Sequence, residues 1–281
     1  MRTPRQSWIL ILLAVAGLLV LVTGCDRGDL STPTDTPQSV GGKADGEEEA
    51  PTPPDISGAW AVAVQSEVES RDTQTGETST STVIVLALLN VSQEEADVTL
   101  KVKTCRAYLP QVSGYQPEIK DSVMQSLPRT TAQGVVSSDD EGNWYLTTEP
   151  AAVLAGVKLT NPTTDPIPTS GSSSKVVDQD QDGYPGVSVT ISGFKVYGAI
   201  RVVFVLDGEV QETGVSGGAD LKQSFVIYGD NVPFVDVAAK VAAAAETTEV
   251  VSKTDSFRMV RLEEEEPGCA EVLADGVLFN Y

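Results

Sequence analysis

Residues 60–69 read WAVAVQSEVE, and this stretch sets the period of the whole chain. The apolar side chains of its first face, Trp60, Val62, Val64 and Val68, all lie at even-numbered positions. The opposite face turns polar from Gln65 onward. Side chains of a β-strand point alternately to opposite faces, so this alternation predicts a strand with one face on a core and the other in solvent.

Strand-like segments follow at fairly regular spacing. Residues 82–90 form a continuous run of β-branched residues and leucines, which indicates a buried strand. The other candidate strands are residues 98–102, 143–148, 152–159, 187–192, 194–206, 225–228, 256–262 and 277–281. Asp207-Gly208 predicts a hairpin turn after residues 194–206, because both residues tolerate positive φ.

These segments amount to about eight to ten strands, which predicts a mainly β fold, either an antiparallel barrel or a sandwich. Residues 235–246 are different, because they are Ala-rich with apolar residues at helical spacing, and they predict one short helix. Residues 56–60 read ISGAW, and this Gly-x-Trp opening resembles that of lipocalin-like barrels. The resemblance favours the barrel over the sandwich.

The N-terminus has the layout of a secretory signal. Two arginines precede an apolar run over residues 8–22, and small residues lead up to Cys25. The run Leu21-Val22-Thr23-Gly24-Cys25 resembles the lipobox of bacterial lipoproteins. That resemblance implies cleavage before Cys25 and acyl chains on this residue, which together hold the protein at a membrane. A transmembrane anchor made by the same apolar run is the alternative.

The lipobox implies a place in the cell envelope, with the folded part outside the cytoplasm. We expect the outer membrane, although Asp26 keeps the inner membrane open, because an Asp after the lipidated cysteine favours retention there in some Gram-negative lipoproteins. Residues 25–55 are rich in Thr, Pro, Gly and acids, and they predict a disordered linker. The chain therefore divides into a signal peptide over 1–24, this lipidated linker, and a single β domain over 56–281.

Composition excludes several kinds of chemistry. The 19 Lys and Arg residues stand against 40 Asp and Glu residues, for a net charge of -21, so we expect no nucleic-acid partner. The chain has no histidine, which removes the commonest general base and His-ligated metals. With Cys25 assigned to lipid, Cys105 and Cys269 predict a disulfide in an exported protein, and two unpaired thiols are the alternative.

Residues 178–183 read DQDQDG and carry the most specific chemical pattern of the folded part. Asp178, Asp180 and Asp182 followed by Gly resemble the start of EF-hand, dockerin and thrombospondin type 3 calcium loops. The resemblance implies a weak Ca²⁺ site, with the backbone carbonyl of Tyr184 as a further ligand. Val189 stands where those loops carry a carboxylate, so another group must complete the site. A solvated acidic turn is the alternative.

These features predict a membrane-anchored, non-enzymatic lipoprotein whose calcium-stabilised β domain binds an unidentified small molecule or protein. Two other functions stay open, namely hydrolysis of envelope glycans through an Asp/Glu pair and a structural or adhesive role at the surface. An apolar cavity supports the first function. Two carboxylates about 5–9 Å apart in a cleft support the second, and a fully packed core supports the third.

Overall fold

The computed structural model describes residues 51–274, except for 110–115, 192, 232–235, 237–247 and 265. Within these residues it has eleven β-strands and two short helices, so the mainly β prediction is confirmed. Five predicted features lie outside the described residues, wholly or almost wholly. They are the signal peptide, Cys25, the linker, the helix over 235–246 and the strand over 277–281. No helix in the described part of the chain is both long and apolar enough to cross a membrane.

The strands take up most of the described residues. In chain order the elements are β1 Gly58–Asp72, β2 Thr78–Glu94, β3 Asp97–Tyr108, β4 Pro117–Glu118, α1 Asp121–Ser126, β5 Thr130–Ser138, β6 Trp144–Thr148, β7 Ala151–Ala155, β8 Val187–Ile191, β9 Phe194–Gln211, β10 Gly214–Asp230, β11 Thr248–Arg261 and α2 Cys269–Val272.

Eight of the described strands form a closed ring of antiparallel pairs, which we call the strand ring. Its order is β1, β2, β3, β5, β6, β9, β10 and β11, and β11 pairs back to β1. One edge of β9 pairs in turn with β8 over 194–198, with β7 over 200–204 and with β6 over 207–210. β4 pairs with β8 beyond the ring. This ring agrees with the predicted choice of barrel or sandwich.

The inner face of the strand ring carries two apolar clusters. The larger one includes Trp60, whose indole Nε1 donates to the Ile56 carbonyl at 2.9 Å and whose ring lies 4.6 Å from the Arg261 guanidinium. The second cluster joins residues of β8 and β9 to helix α1, which contributes Val123 and Met124. The core therefore has two parts at different positions along the ring.

A third cluster lies on the outer face of the ring and explains the continuous apolar run of β2. Leu86 and Leu88 are fully buried there under α2, while the residues between them face the inside. A disulfide joins Cys105 of β3 to Cys269 of α2, with the two Cα atoms 5.3 Å apart. β2 is therefore buried on both faces, and the C-terminal helix is attached covalently to the ring.

The predicted hairpin turn at Asp207-Gly208 is wrong, because both residues lie inside β9. The turn comes four residues later, where Gln211 of β9 pairs with Gly214 of β10. Gly208 pairs with Gly217, and a Cβ on Gly208 would come within 2.6 Å of the Phe257 ring. Gly208 is therefore needed for the close approach of neighbouring strands and not for a turn.

Candidate functional site

A cavity of about 210 Å³ lies inside the strand ring. Its walls are almost entirely apolar and come from strands on all sides, including Val64, Val85, Ile191, Ile200, Val202 and Phe225. Apolar cavities of ~150 Å³ already stay dry and accept small apolar molecules. Mostly apolar walls with a few polar groups are also typical of ligand pockets. The cavity is therefore large enough and of the right character for an apolar ligand.

The two inner clusters place the cavity between them. Val62, Leu89 and Leu206 of the larger cluster line it on one side, and residues of β8 and α1, such as Val189 and Met124, line it on the other. The apolar face that the sequence predicts for β1 therefore does face a core, but side chains do not fill that core completely. Sequence reasoning did not identify the cavity, because it depends on how far apart the strands lie.

Among the described residues, three polar side chains line the cavity, those of Ser66, Thr104 and Gln223. Ser66 sits on the inner face of β1, and its side-chain oxygen is buried with no hydrogen-bond partner among the described residues. Its direct cross-strand neighbour on β11 is Asp255. Side chains at directly opposed positions share a face of the sheet, so Asp255 projects toward the inside as well.

Asp255 lies where β10 and β11 separate, since their pairing extends only over residues 214–218 of β10. Its Oδ2 accepts from the Leu221 N–H at 3.3 Å and from Lys253 Nζ at 3.0 Å, and Lys253 also donates to the Leu221 carbonyl. Its Oδ1 is buried and unpartnered within the described chain, and the side chain is only 5% exposed. The side chains of Asp255 and Lys253 thus replace the missing backbone pairing between β10 and β11. Asp255 Oδ1 takes no part in these contacts.

The predicted calcium loop brings its three aspartates together. Asp178, Asp180 and Asp182 each offer a carboxylate oxygen within 4.8 Å of the others. Both oxygens of Asp178 accept backbone N–H groups inside the loop, from Asp182 at 3.1 Å and from Gly183 at 2.9 Å. The loop therefore folds around its own first carboxylate.

The start of β8 and a lysine of β9 hold the other two carboxylates. Asp180 Oδ2 accepts from the Ser188 N–H at 3.1 Å, while its Oδ1 is buried with no partner in the described chain. Asp182 Oδ2 accepts from the Ser188 hydroxyl at 2.8 Å and from Lys195 Nζ at 2.7 Å. An orphaned carboxylate oxygen fits a cation, and Lys195 supplies one positive charge at the same place.

Burial raises the pKa of Asp180 above its ordinary value, and the nearby carboxylates of Asp182 and Asp178 raise it further against an opposing N–H from Ser188. Burial also raises the pKa of Asp182. The hydrogen bonds from Lys195, Ser188 and the Tyr184 N–H outweigh this effect and hold that pKa below its ordinary value. Asp180 is therefore the member of the group that is least well compensated.

Tyr184 and Val189 lie at the ends of this loop. The Tyr184 N–H donates to Asp182 at 3.0 Å, and its ring stacks on Tyr197 with the centroids 4.6 Å apart. Its carbonyl as a cation ligand stays a prediction. Val189 is buried and lines the cavity, so it cannot supply a ligand to the loop. Because Ser188 and Val189 are adjacent in β8, the acidic loop and the cavity wall are directly connected.

Comparison with known proteins adds no family. No family model matches the chain, and no curated protein gives a significant match. The chain has a distant similarity to the solved structure of DynF from the dynemicin biosynthesis pathway of Micromonospora chersina, at 12% identity. The match covers 83% of this chain and 95% of that one, with a TM-score of 0.24. At that TM-score the similarity carries no argument about fold or function.

Proposed function

We propose that this protein is a cell-envelope lipoprotein whose β domain binds an apolar ligand in the cavity of the strand ring. The apolar cavity is the observation that carries the proposal. Burying apolar surface contributes about 25 cal/mol per Å² removed from water, so a molecule that fills such a cavity gains affinity without any specific contact. Among its described lining residues the cavity has no Asp or Glu, which favours ligand binding over glycan hydrolysis.

The sequence supports the membrane attachment. The lipobox-like run ending at Cys25 supplies the proposed site of acylation, and two or three acyl chains give stable anchoring. Residues 26–55 would then connect the anchor to the domain, with a reach of roughly 30 Å for a flexible chain of this length. A binding domain held at this distance from a membrane can meet apolar molecules that leave the bilayer.

Calcium is the second part of the proposal. Asp178, Asp180 and Asp182 would hold a Ca²⁺ ion, with Tyr184 contributing its carbonyl and Lys195 limiting the affinity. The ion would fix the loop against β8, whose next residues line the cavity. We expect heat of binding and a higher melting temperature at millimolar Ca²⁺ but not at millimolar Mg²⁺. The calcium proposal fails if calorimetry shows neither.

Fluorescence of diphenylhexatriene tests the ligand proposal, because this hydrocarbon emits strongly only in apolar surroundings and has no polar group. We expect saturable binding of about one molecule per full-length chain. Ala107→Phe places a ring in the cavity and should weaken binding by about tenfold or more, since Ala107 lines the wall.

Thr99→Phe is the matched control. It adds the same ring to the same strand, but Thr99 is bonded to Gln133 on the exposed outer face, so binding should be unchanged. A folded wild-type protein that shows no saturable fluorescence increase contradicts the proposed function. Equal loss in the two variants would place the bound probe outside the cavity.

A further inference from the structure

We infer that the ligand is an otherwise apolar molecule that carries one uncharged hydrogen-bond donor, such as a hydroxyl or an amide N–H, and that this donor binds between Ser66 and Asp255. The inference rests on the proposed function, because it needs a ligand in the cavity. It adds the chemical class of that ligand.

The first observation is the pairing of two unpartnered oxygens at one place in the ring. Ser66 Oγ and Asp255 Oδ1 are both buried without a hydrogen-bond partner among the described residues, and their residues are directly opposed on β1 and β11. A buried polar atom without a partner destabilises the fold, because it has lost its hydrogen bonds to water and gained none in return. Two such atoms on one cross-strand pair, next to a cavity, are better explained by a missing partner than by chance.

The second observation is the position of this pair relative to the cavity. Ser66 lines the cavity, and so does Leu221, whose N–H is held by the other oxygen of Asp255. Asp255 is thus flanked by two wall residues, and only 5% of its side chain is exposed. Asp255 is not itself a wall residue, so a polar group of the ligand would reach it at the edge of the wall formed by Ser66 and Leu221, while the rest of the ligand stays in apolar surroundings.

The charges near the pair decide the chemical class. An ionised carboxylate only accepts hydrogen bonds, so Asp255 Oδ1 needs a donor. Lys253 already neutralises Asp255 through its other carboxylate oxygen and also donates to the Leu221 carbonyl, so this lysine offers no free positive charge to an anion. A ligand carboxylate would bring a second negative charge into a buried place. A neutral donor meets the need of Asp255 without adding charge, and Ser66 can accept from it or donate to it.

Displacement of diphenylhexatriene from the full-length chain tests this inference. The competitors are 1-decanol, which has a donor, 1-methoxynonane, which has the same atoms but no donor, and decanoate, which is anionic. We expect 1-decanol to displace the probe at about tenfold lower concentration than the ether, since one satisfied buried donor is worth about that much. Decanoate should compete no better than the ether.

Two variants locate the preference. Ser66→Ala combined with Asp255→Asn should reduce the advantage of the alcohol to about threefold or less, because the charged acceptor and the hydroxyl are both lost. Ser70→Ala is the matched control, since Ser70 is a buried serine of the same strand whose hydroxyl is already bonded to Ser79 at 3.1 Å. Its alcohol preference should equal that of the wild type.

The outcomes separate this inference from the proposed function. If the wild type binds the probe but alcohol and ether compete equally, or if decanoate competes best, the inference is overturned. The proposed binding of apolar ligands in the cavity is then unaffected. An ordered water that satisfies Ser66 and Asp255 would give that equal competition. If the probe does not bind at all, the proposed function fails and the inference fails with it.

Discussion

Gly208 of β9 lies between its two neighbouring strands and against an aromatic ring of a third. It pairs with Leu146 of β6 and with Gly217 of β10, and Gly217 pairs in turn with Phe257 of β11. A Cβ on Gly208 would lie 2.6 Å from the end of the Phe257 ring and 2.8 Å from the Ser216 carbonyl oxygen. Gly208 therefore leaves the space that the Phe257 ring fills in the core, while Gly217 lets the backbones of β9 and β10 come close together.

Gly208→Ala should lower the free energy of unfolding by about 1–3 kcal/mol, the usual cost of inserting a methyl into a packed core. Urea denaturation measures the difference. Gly218→Ala is the control, because the nearest atom to a Cβ there is the Asp207 carbonyl oxygen at 4.0 Å, and we expect a change within about 0.5 kcal/mol. Equal effects of the two substitutions would contradict this account of Gly208.

Asp180 is the carboxylate of the acidic loop that is least compensated in the absence of a cation. Its pKa is raised above the ordinary value of 3.8 in the folded state, so folding favours its protonated form. The stability linked to this proton is present below about pH 4 and is lost as the pH rises through the raised pKa. The pKa of Asp182 is lowered, so its pH dependence is the reverse. The stability that Asp182 contributes is present above its unfolded pKa and is lost as the pH falls through its folded pKa.

Asp180→Asn should therefore be more stable than the wild type in EDTA, by a margin that widens as the pH rises from about 4 to 7. Melting temperatures across this range measure the margin, and the same variant should lose any rise in melting temperature caused by Ca²⁺. Asp140→Asn, in the exposed turn between β5 and β6, should show no such trend. A difference in melting temperature that becomes smaller as the pH rises would contradict a raised pKa for Asp180.

Single residues show how far the sequence could be read. The alternation of β1 predicted Trp60, Val62 and Val64 on one face, and all three belong to the inner core or pack against it. The same alternation puts Ser66 on that face, where a polar residue breaks the apolar series. That break was the available signal for a polar group in the core. Asp255 could not be found in this way, because only the closure of the ring brings β11 beside β1.

The disulfide connects elements that are far apart in the chain. It joins β3 to α2 across a sequence separation of 164 residues, and α2 has only four residues. Within the described chain this short helix packs on the outer face of β1, β2 and β3. So short a helix gains little from its own hydrogen bonds. Its attachment therefore depends on this covalent link and on the burial of Val272.

Replacing both cysteines, Cys105→Ala with Cys269→Ala, should lower the free energy of unfolding by about 2–5 kcal/mol. Urea denaturation with and without a reductant provides the measurement. The reductant should shift the wild-type midpoint toward that of the variant and leave the variant unchanged. Cys25→Ser is the control and should keep the wild-type response. A wild-type midpoint that ignores the reductant would show that the link adds no stability.

Elements whose sequence has a strong apolar periodicity were predicted, and elements without such a periodicity were missed. The strands around residues 82–90, 98–102 and 143–148 were found because their apolar pattern is set by burial on the ring. β5 was missed, since Gly134 and its polar residues give it no clear alternation, although it completes the ring between β3 and β6. Helix α1 was missed because six residues are too few for a helical period to be recognised.

At the scale of the molecule, the same inner faces that close the ring also leave space inside it. Valine is the commonest residue of the wall, and valine and alanine side chains reach less far inward than leucine or phenylalanine would. Packing at native density would require larger residues at the centre. The small residues at Val64, Val85 and Ala87 thus account for the cavity. The alternation and spacing of the apolar segments predicted the fold class, but the cavity required the actual distances between opposite strands.

The acidic loop and the cavity belong to one structural unit through β8. Ser188 bonds Asp180 and Asp182, and its neighbour Val189 lines the cavity. A cation that fixes the loop would therefore also fix one wall of the binding site. Through this connection a bound calcium ion would affect ligand binding, although the three aspartates do not line the cavity.

The central claim is that an apolar ligand occupies the inside of the strand ring, and NMR of methyl-labelled protein tests it most directly. Inward and outward methyl groups alternate along β2, where Val85 lines the cavity while Leu86 and Leu88 lie under α2 on the outside. With diphenylhexatriene bound, we predict intermolecular NOEs to Val85, Val189 and Ile200 and none to Leu86 or Leu88. NOEs to the outer methyl groups, or none to the inner ones at saturation, would contradict the account.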